Sequence, residues 1–166
     1  MRLNNPRDQL VFILCGLPGS GKTFHAAIKT EANKNADVNT VHLDLNHYLE
    51  QGMNMKSAYD KFFNDFIIAL RDSVSVIIVD KPNLLEKHRK NYERIAIAFE
   101  YSYVNVLVGS FDSDFAEFCT KRSRVPLEYI SEQARSVQMP EGKHTCRISK
   151  EECGWTSNWR ARDTSR

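Results

Sequence analysis

The sequence predicts an α/β fold of three layers, a parallel sheet covered by helices on both faces, and two observations carry that prediction. Short apolar runs of strand length alternate along the 166 residues with longer segments whose apolar residues recur at helical spacing. The first run is joined to the first such segment by Gly16-Leu17-Pro18-Gly19-Ser20-Gly21-Lys22-Thr23, which fills every fixed position of the phosphate-binding loop G-x-x-x-x-G-K-[ST].

Leu10-Val11-Phe12-Ile13-Leu14-Cys15 is a continuous apolar run, as a strand buried on both faces requires. The glycine loop follows, and Lys22 to Lys29 reads as a helix. Asn39 to Asp44 gives a short second strand ending in a carboxylate. From Met55, the residues Met55, Tyr59, Phe62, Phe63, Phe66, Ile67 and Leu70 fall on one helical stripe. That stripe is read as core rather than as a base-stacking surface, because a helix that covers a sheet needs one apolar face. Val74 to Asp80 is the clearest buried strand, and it too ends in aspartate.

A helix from about Leu84 to Tyr101 comes next, with Leu85, Tyr92, Ile95, Ala96 and Phe99 inward, followed by a fourth strand over Tyr103 to Val108. Asp112-Ser113-Asp114 caps a short helix, the basic segment Lys121-Arg122-Ser123-Arg124 succeeds it, and Pro126 is expected at the first position of a helix running from Leu127 to about Val137. Met139-Pro140-Glu141-Gly142 stops that helix, and His144 to Ile148 reads as a last strand. The expected organisation is one phosphate-loop domain over 1–149, built like the phosphate-loop kinases, and a polar, basic tail over 150–166 that carries Trp155 and Trp159.

Composition limits the partners. A net charge of +2 is too small to argue nucleic-acid binding by itself, so such binding must rest on where the basic residues lie. The four cysteines have no paired-motif spacing, and Cys15 falls in a predicted central strand, which points to reduced thiols and a cytoplasmic chain. His144, Cys146 and Cys153 offer only three metal ligands, and ordinary unliganded side chains are the preferred reading. No apolar run approaches a membrane span, and the polar start Met1-Arg2-Leu3-Asn4-Asn5 argues against a cleaved signal peptide.

The loop implies a bound nucleoside triphosphate, ATP or GTP, since no purine-reading motif is visible. Its glycines let backbone N–H groups curl round the β-phosphate at a helix N-terminus, Lys22 reaches the β/γ oxygens, and Thr23 offers its hydroxyl to Mg²⁺. In a parallel sheet all strand C-termini share one edge, so Asp44 and Asp80 point their loops toward those phosphates. Asp44 is expected to be the base or hydrogen-bond acceptor for an attacking hydroxyl, and Asp80 to be the carboxylate that steadies Mg²⁺ from behind its direct ligands. Arg122 and Arg124 stand where an arginine-bearing lid would close over the donor; residue order does not say which of them faces the phosphates.

These residues resemble the polynucleotide 5′-hydroxyl kinases of phages and RNA-repair systems, and the related phosphate-loop domain of myelin cyclic-nucleotide phosphodiesterase. The resemblance spans about residues 10 to 140. It rests on Phe12 to Thr23, on Asp44 at the end of the second strand, on Ile77-Ile78-Val79-Asp80-Lys81-Pro82-Asn83-Leu84, and on the lid Lys121-Arg122-Ser123-Arg124 with Val125-Pro126 after it. It implies transfer of phosphate from ATP or GTP to the 5′-hydroxyl of RNA or DNA, with Asp44 activating the hydroxyl and a lid arginine gripping the donor.

The chain departs from that family's pattern in three ways. Lys81 and Pro82 separate Asp80 from Asn83, His47 stands where an arginine often steadies the acceptor phosphate, and the lid is shorter. Basic help for an acceptor strand is then expected from the lid or from Arg147, Arg160 and Arg162. No phosphatase or ligase domain follows, so end repair would need separate partners. Two other functions use the same loop: a kinase of a small metabolite, nucleoside or sugar nucleotide of zeta-toxin type, and a nucleotide switch that presents its tail to a partner or to RNA.

Overall fold

The computed structural model describes residues 9–163. Strands β1 (Leu10–Cys15), β2 (Thr40–Asp44), β3 (Val76–Asp80), β4 (Ser102–Val108) and β5 (Thr145–Ile148) form one sheet in the order β2-β3-β1-β4-β5, and every pairing is parallel. All five residues of β3 are buried, which explains its unbroken apolar sequence. The strand order reverses at β1, so the loops leaving β1 and its neighbours open a crevice at the carboxyl edge of the sheet.

Helices cover both faces. On one face α3 (Met55–Arg71) and α4 (Glu86–Ala98) pack Phe62, Phe66, Tyr92 and Ala96 against Val11, Ile13, Ile77 and Val79. On the other, α1 (Lys22–Asn35), α5 (Ser113–Ser123) and α6 (Leu127–Ser136) bring Ala26, Phe115, Cys119 and Ile130 against Leu14, Ile78 and Val108. A short α2 (Leu45–Glu50) links β2 to α3, and α7 (Trp159–Asp163) closes the described chain.

Several boundaries differ from those read in the sequence. The stripe of α3 is buried only along Ala58, Phe62, Phe66, Ala69 and Leu70, while Met55, Tyr59 and Phe63 flank it and stay exposed. Phe99 is not inward: α4 ends at Ala98, so Phe99 is its C-cap and leaves the stripe. Pro126 is the N-cap of α6 with ψ 140°, not its first helical residue, because Leu127 begins the helix. Neither α2 nor α7 was expected; both are too short for helical spacing to register.

The described part of the tail, 150–163, lies on α5. Trp159 and Cys153 are buried, Trp159 meets Phe118 edge to face, and Trp155 Nε1 donates to Asp114 Oδ2 at 2.8 Å. Arg160 pairs with Asp114 at 2.7 Å and Glu117 at 2.6 Å. Among the described residues no helix is long and apolar enough to cross a membrane.

Candidate nucleotide-binding and transfer site

The glycine loop sits between β1 and α1 at the reversal point of the sheet. Gly19 has φ +79°, and a Cβ there would lie 2.5 Å from the Cys119 carbonyl oxygen, so only a bare backbone lets the loop press against α5. Gly21, at φ +107°, turns the chain into α1, whose first N–H groups receive no side-chain cap. The Ser20 hydroxyl is buried without a partner. Uncapped amides and an orphan hydroxyl round one concavity suit a phosphate.

Lys22 is 8% exposed, and its Nζ donates to the carbonyls of Gly16 (3.0 Å) and Leu17 (2.9 Å). Burial pushes its pKa down, and the negative charge of Asp80 opposes that shift. Behind the loop, Thr23 Oγ1 donates to Asp80 Oδ2 at 2.8 Å, and His42 Nε2 lies 2.8 Å from the same oxygen.

Asp44 and Asp80 are register partners across β2 and β3. Asp44 caps α2, accepting from the Asn46 N–H at 3.0 Å, and is half-buried. Burial raises its pKa, and the Asp80 charge raises it further. Ligand atoms of His42, Asp44 and Asp80 all lie within 4.8 Å of one another, the grouping among the described residues able to hold a metal ion. With the hydroxyl of Thr23, this mainly oxygen donor set fits Mg²⁺. His144 stacks on Tyr103 instead of joining a metal cluster, Cys146 is exposed, and Cys153 is buried beside α5.

A cleft of about 510 Å³ opens at this edge; its walls include Lys22, Thr23, Asn46, Asp80, Lys81 and Arg122, while Asp44 lies just outside them, next to Leu45 and Asn46. The two arginines expected in a lid diverge. Arg122 lies in the last turn of α5, lines the cleft, donates to the Cys153 carbonyl, and has its guanidinium 5.0 Å over the Phe118 ring. Arg124 is the left-handed C-cap of α5 (φ 61°), and its N–H closes on the Thr120 carbonyl at 2.9 Å. It is exposed and does not belong to the cleft wall. Of the basic residues considered for an acceptor strand, Arg160 is engaged by Asp114 and Glu117, and His47 bonds Gln51 along the outside of α2.

Four residues of this region carry no role in the sequence reading. His42 shares a face of β2 with Asp44, two residues on, so strand alternation alone puts them together. Arg89 falls on the apolar stripe of α4 between Leu85 and Tyr92, and that polar interruption was its signal. It is 3% exposed, donates to the Asn83 carbonyl at 2.9 Å and also to that of Gln138, and so braces the loop after β3. Asn83, turned by φ 48°, donates to the Leu14 carbonyl at 2.8 Å; it ties β3 to β1 and does not line the cleft.

Lys81 is the fourth. It is 7% exposed, donates to the Tyr92 hydroxyl at 3.0 Å, and is held at a pKa of about 8 by burial.

No protein family model matches the chain, and no curated protein matches it in sequence. Solved structures do match. The Mycobacterium tuberculosis APS kinase CysC in complex with AMPPNP and APS superposes with a TM-score of 0.62 at 16% identity, covering 90% of this chain and 95% of that one. A gluconokinase from Sinorhizobium meliloti 1021 gives 0.56 at 14% identity over 86% and 83%. The Pnkp1/Rnl/Hen1 RNA repair complex gives 0.61 at 15% identity over 81% of this chain and 47% of that one. At such identities the likeness is one of fold. The five-stranded parallel sheet with its glycine loop is the fold of the phosphate-loop kinases.

Proposed function

We propose that this protein transfers the γ-phosphate of ATP or GTP to the 5′-hydroxyl of a polynucleotide, RNA or DNA. The observation that carries the reading is that Asp44 is the register partner of Asp80, which bonds Thr23 and lines one cleft with Thr23 and Lys22. The cleft has a cationic, amide-lined end for a donor, and at its edge Asp44 accepts the Asn46 N–H and forms no ion pair among the described residues.

In the proposed reaction, the loop amides and the Ser20 hydroxyl hold the donor phosphates. Lys22 leaves the Gly16 and Leu17 carbonyls for the β/γ oxygens. Thr23 and Asp80 would hold Mg²⁺, which when bound neutralises charge on those oxygens. Asp44 takes the proton of the acceptor hydroxyl as its oxygen bonds to the γ-phosphorus and the bond from that phosphorus to the β/γ bridging oxygen breaks. Arg122 grips the equatorial oxygens in place of the Cys153 carbonyl, and the cleft walls keep competing water out.

The polynucleotide acceptor is supported by the loop, aspartate and lid motifs together, and by the likeness to a chain of an RNA repair complex. A small-molecule kinase is the second reading, favoured by the superposition of an APS kinase (TM-score 0.62) and a gluconokinase (0.56) beside that of the RNA repair complex (0.61). Incubation with γ-labelled ATP or GTP and a panel of 5′-hydroxyl DNA and RNA oligonucleotides, nucleosides, nucleoside 3′-phosphates and gluconate tests the proposal. Label on oligonucleotide 5′ ends supports it; label only on a small molecule, or only in released phosphate, overturns it.

A further inference from the structure

A second polar cleft, of about 400 Å³, lies on the α4 side of the sheet and shares no lining residue with the nucleotide cleft. Asn105 of β4 lies at its floor. It leaves the strand on the same face as Tyr103, two residues earlier, which packs on the core that α4 helps to build. The link between α6 and β5 supplies the outer wall. That link is irregular chain, so its parting to admit a ligand breaks no helix or strand.

Asn105 is only 4% exposed. Its Nδ2 donates to Glu93 Oε1 at 2.7 Å, and because a carboxylate can only accept, that bond fixes which end of the amide is nitrogen. The other end, Oδ1, is buried and has no hydrogen-bond partner. An amide oxygen taken from water without a donor in exchange costs free energy, which a ligand N–H would recover.

The charges round Asn105 say what kind of donor fits. Three carboxylates and two cations line the cleft. Glu86 pairs with Lys90 at 2.8 Å, and Arg89 directs its guanidinium to the carbonyls of Asn83 and Gln138. Glu93 is half-buried, and among the described residues no cation pairs with it and its second oxygen has no donor. Its charge reaches Tyr103, whose phenol pKa is raised by burial and then by Glu93. Tyr103 stacks on His144 with ring centres 4.6 Å apart and planes 25° apart, so one wall of the cleft is flat and aromatic. An unmet acceptor, an unpaired carboxylate and a flat ring wall suit a planar cation with N–H groups along its edges, which a guanidinium is and an ammonium is not.

We infer that this second cleft binds a guanidinium group, whose N–H groups bridge Asn105 Oδ1 and the free oxygen of Glu93 while its plane lies along the Tyr103 and His144 rings. A free small molecule or an arginine side chain of a partner protein presents the same chemistry. The inference is independent of the kinase reading, because neither the donor loop nor the Asp44 and Asp80 pair belongs to this cleft.

Titration of the ¹⁵N-labelled full chain with methylguanidinium tests it, with methylurea as the neutral probe of the same shape. The Asn105 side-chain amide signal, assigned by its loss in Asn105→Leu, should move with methylguanidinium. The wild type should bind methylguanidinium about tenfold or more tightly than methylurea. Glu93→Gln keeps an acceptor for Asn105 and removes the charge, so this preference should vanish in it. N-acetylarginine amide separates the two sources: binding at least as tight as that of methylguanidinium assigns the cleft to an arginine of a partner protein, and weaker binding assigns it to a free small molecule.

An Asn105 signal that methylguanidinium leaves unmoved, equal binding of methylurea, or a charge preference that survives in a folded Glu93→Gln overturns the inference. If that variant does not fold, the wild-type titrations decide alone. Movement of the signal with inorganic phosphate and not with methylguanidinium would place an anion at Arg89 and overturn it as well.

Discussion

Asp44 and Asp80 form the last register pair of β2 and β3, and they leave the sheet side by side with different partners. Asp80 is held by Thr23 and His42 through one oxygen, while Asp44, among the described residues, accepts only the Asn46 N–H that opens α2. One carboxylate is thus tied to the donor loop, and the other is left with capacity for a substrate hydroxyl.

Replacing Asp44 should therefore affect the acceptor step. Asn caps a helix as well as Asp does, so Asp44→Asn should fold normally. Its kcat should fall by about a hundred- to ten-thousandfold with little change in triphosphate affinity. A base must be ionised, and burial with the Asp80 charge raises the Asp44 pKa, so wild-type kcat should drop on acidification through a value above the ordinary aspartate value of about 3.9. Steady-state kinetics over pH check both points. Weak triphosphate binding with normal turnover at saturation would move Asp44 to the donor side.

Lys22→Ala should abolish transfer while leaving the fold intact. The side chain donates only to two loop carbonyls in this structure, and burial already depresses its pKa, so its removal costs little stability. What disappears is the cation on the β/γ bridge. A folded Lys22→Ala protein that still transfers label would show that the loop is not the catalytic cradle.

Arg122 and Arg124 should behave differently. Arg122→Ala should lower transfer strongly and raise the share of triphosphate lost to water, since Arg122 lines the cleft and Arg124 does not. Arg124→Ala should alter rates little, because Arg124 contributes its backbone to the end of α5. Parallel assays of transfer and hydrolysis on the two variants make the comparison, and equal rates in both would return the arginines to ordinary surface.

Lys81 gives stability an unusual pH dependence. Its folded pKa of about 8 lies below the ordinary lysine value of about 10.4. Between those values the unfolded chain holds the proton and the folded one does not, so stability rises with pH across that window. Below pH 8 the burial cost is fully present. Urea unfolding of wild type and Lys81→Met at pH 7 and pH 10 should show the variant's relative advantage shrinking at the higher pH; a constant or growing advantage would contradict the assignment.

Most of the sheet was legible because β1 and β3 are buried on both faces and can contain little but apolar residues. The loop was legible because phosphate binding dictates glycines, a lysine and a hydroxyl at fixed spacing. Lys81 was not. A lysine after a strand reads as a solvated turn, and only the packing of α3 and α4 closes Tyr59, Phe62 and Tyr92 round it. The choice between Arg122 and Arg124 was equally hidden, because it depends on α5 running on to Ser123 and on the tail carbonyl of Cys153 that receives Arg122.

The most direct measurement of the polynucleotide claim is kcat/KM for a 5′-hydroxyl oligonucleotide and for adenosine 3′-phosphate, each at low and high salt. A strand that lays several phosphates along the cleft should be the better acceptor at low salt, and its efficiency should fall steeply as salt rises, through counterion release. Adenosine 3′-phosphate, with a single phosphate, should show a shallow slope. Equal efficiency on both acceptors with no salt dependence would contradict a polynucleotide substrate and make the protein a small-molecule kinase.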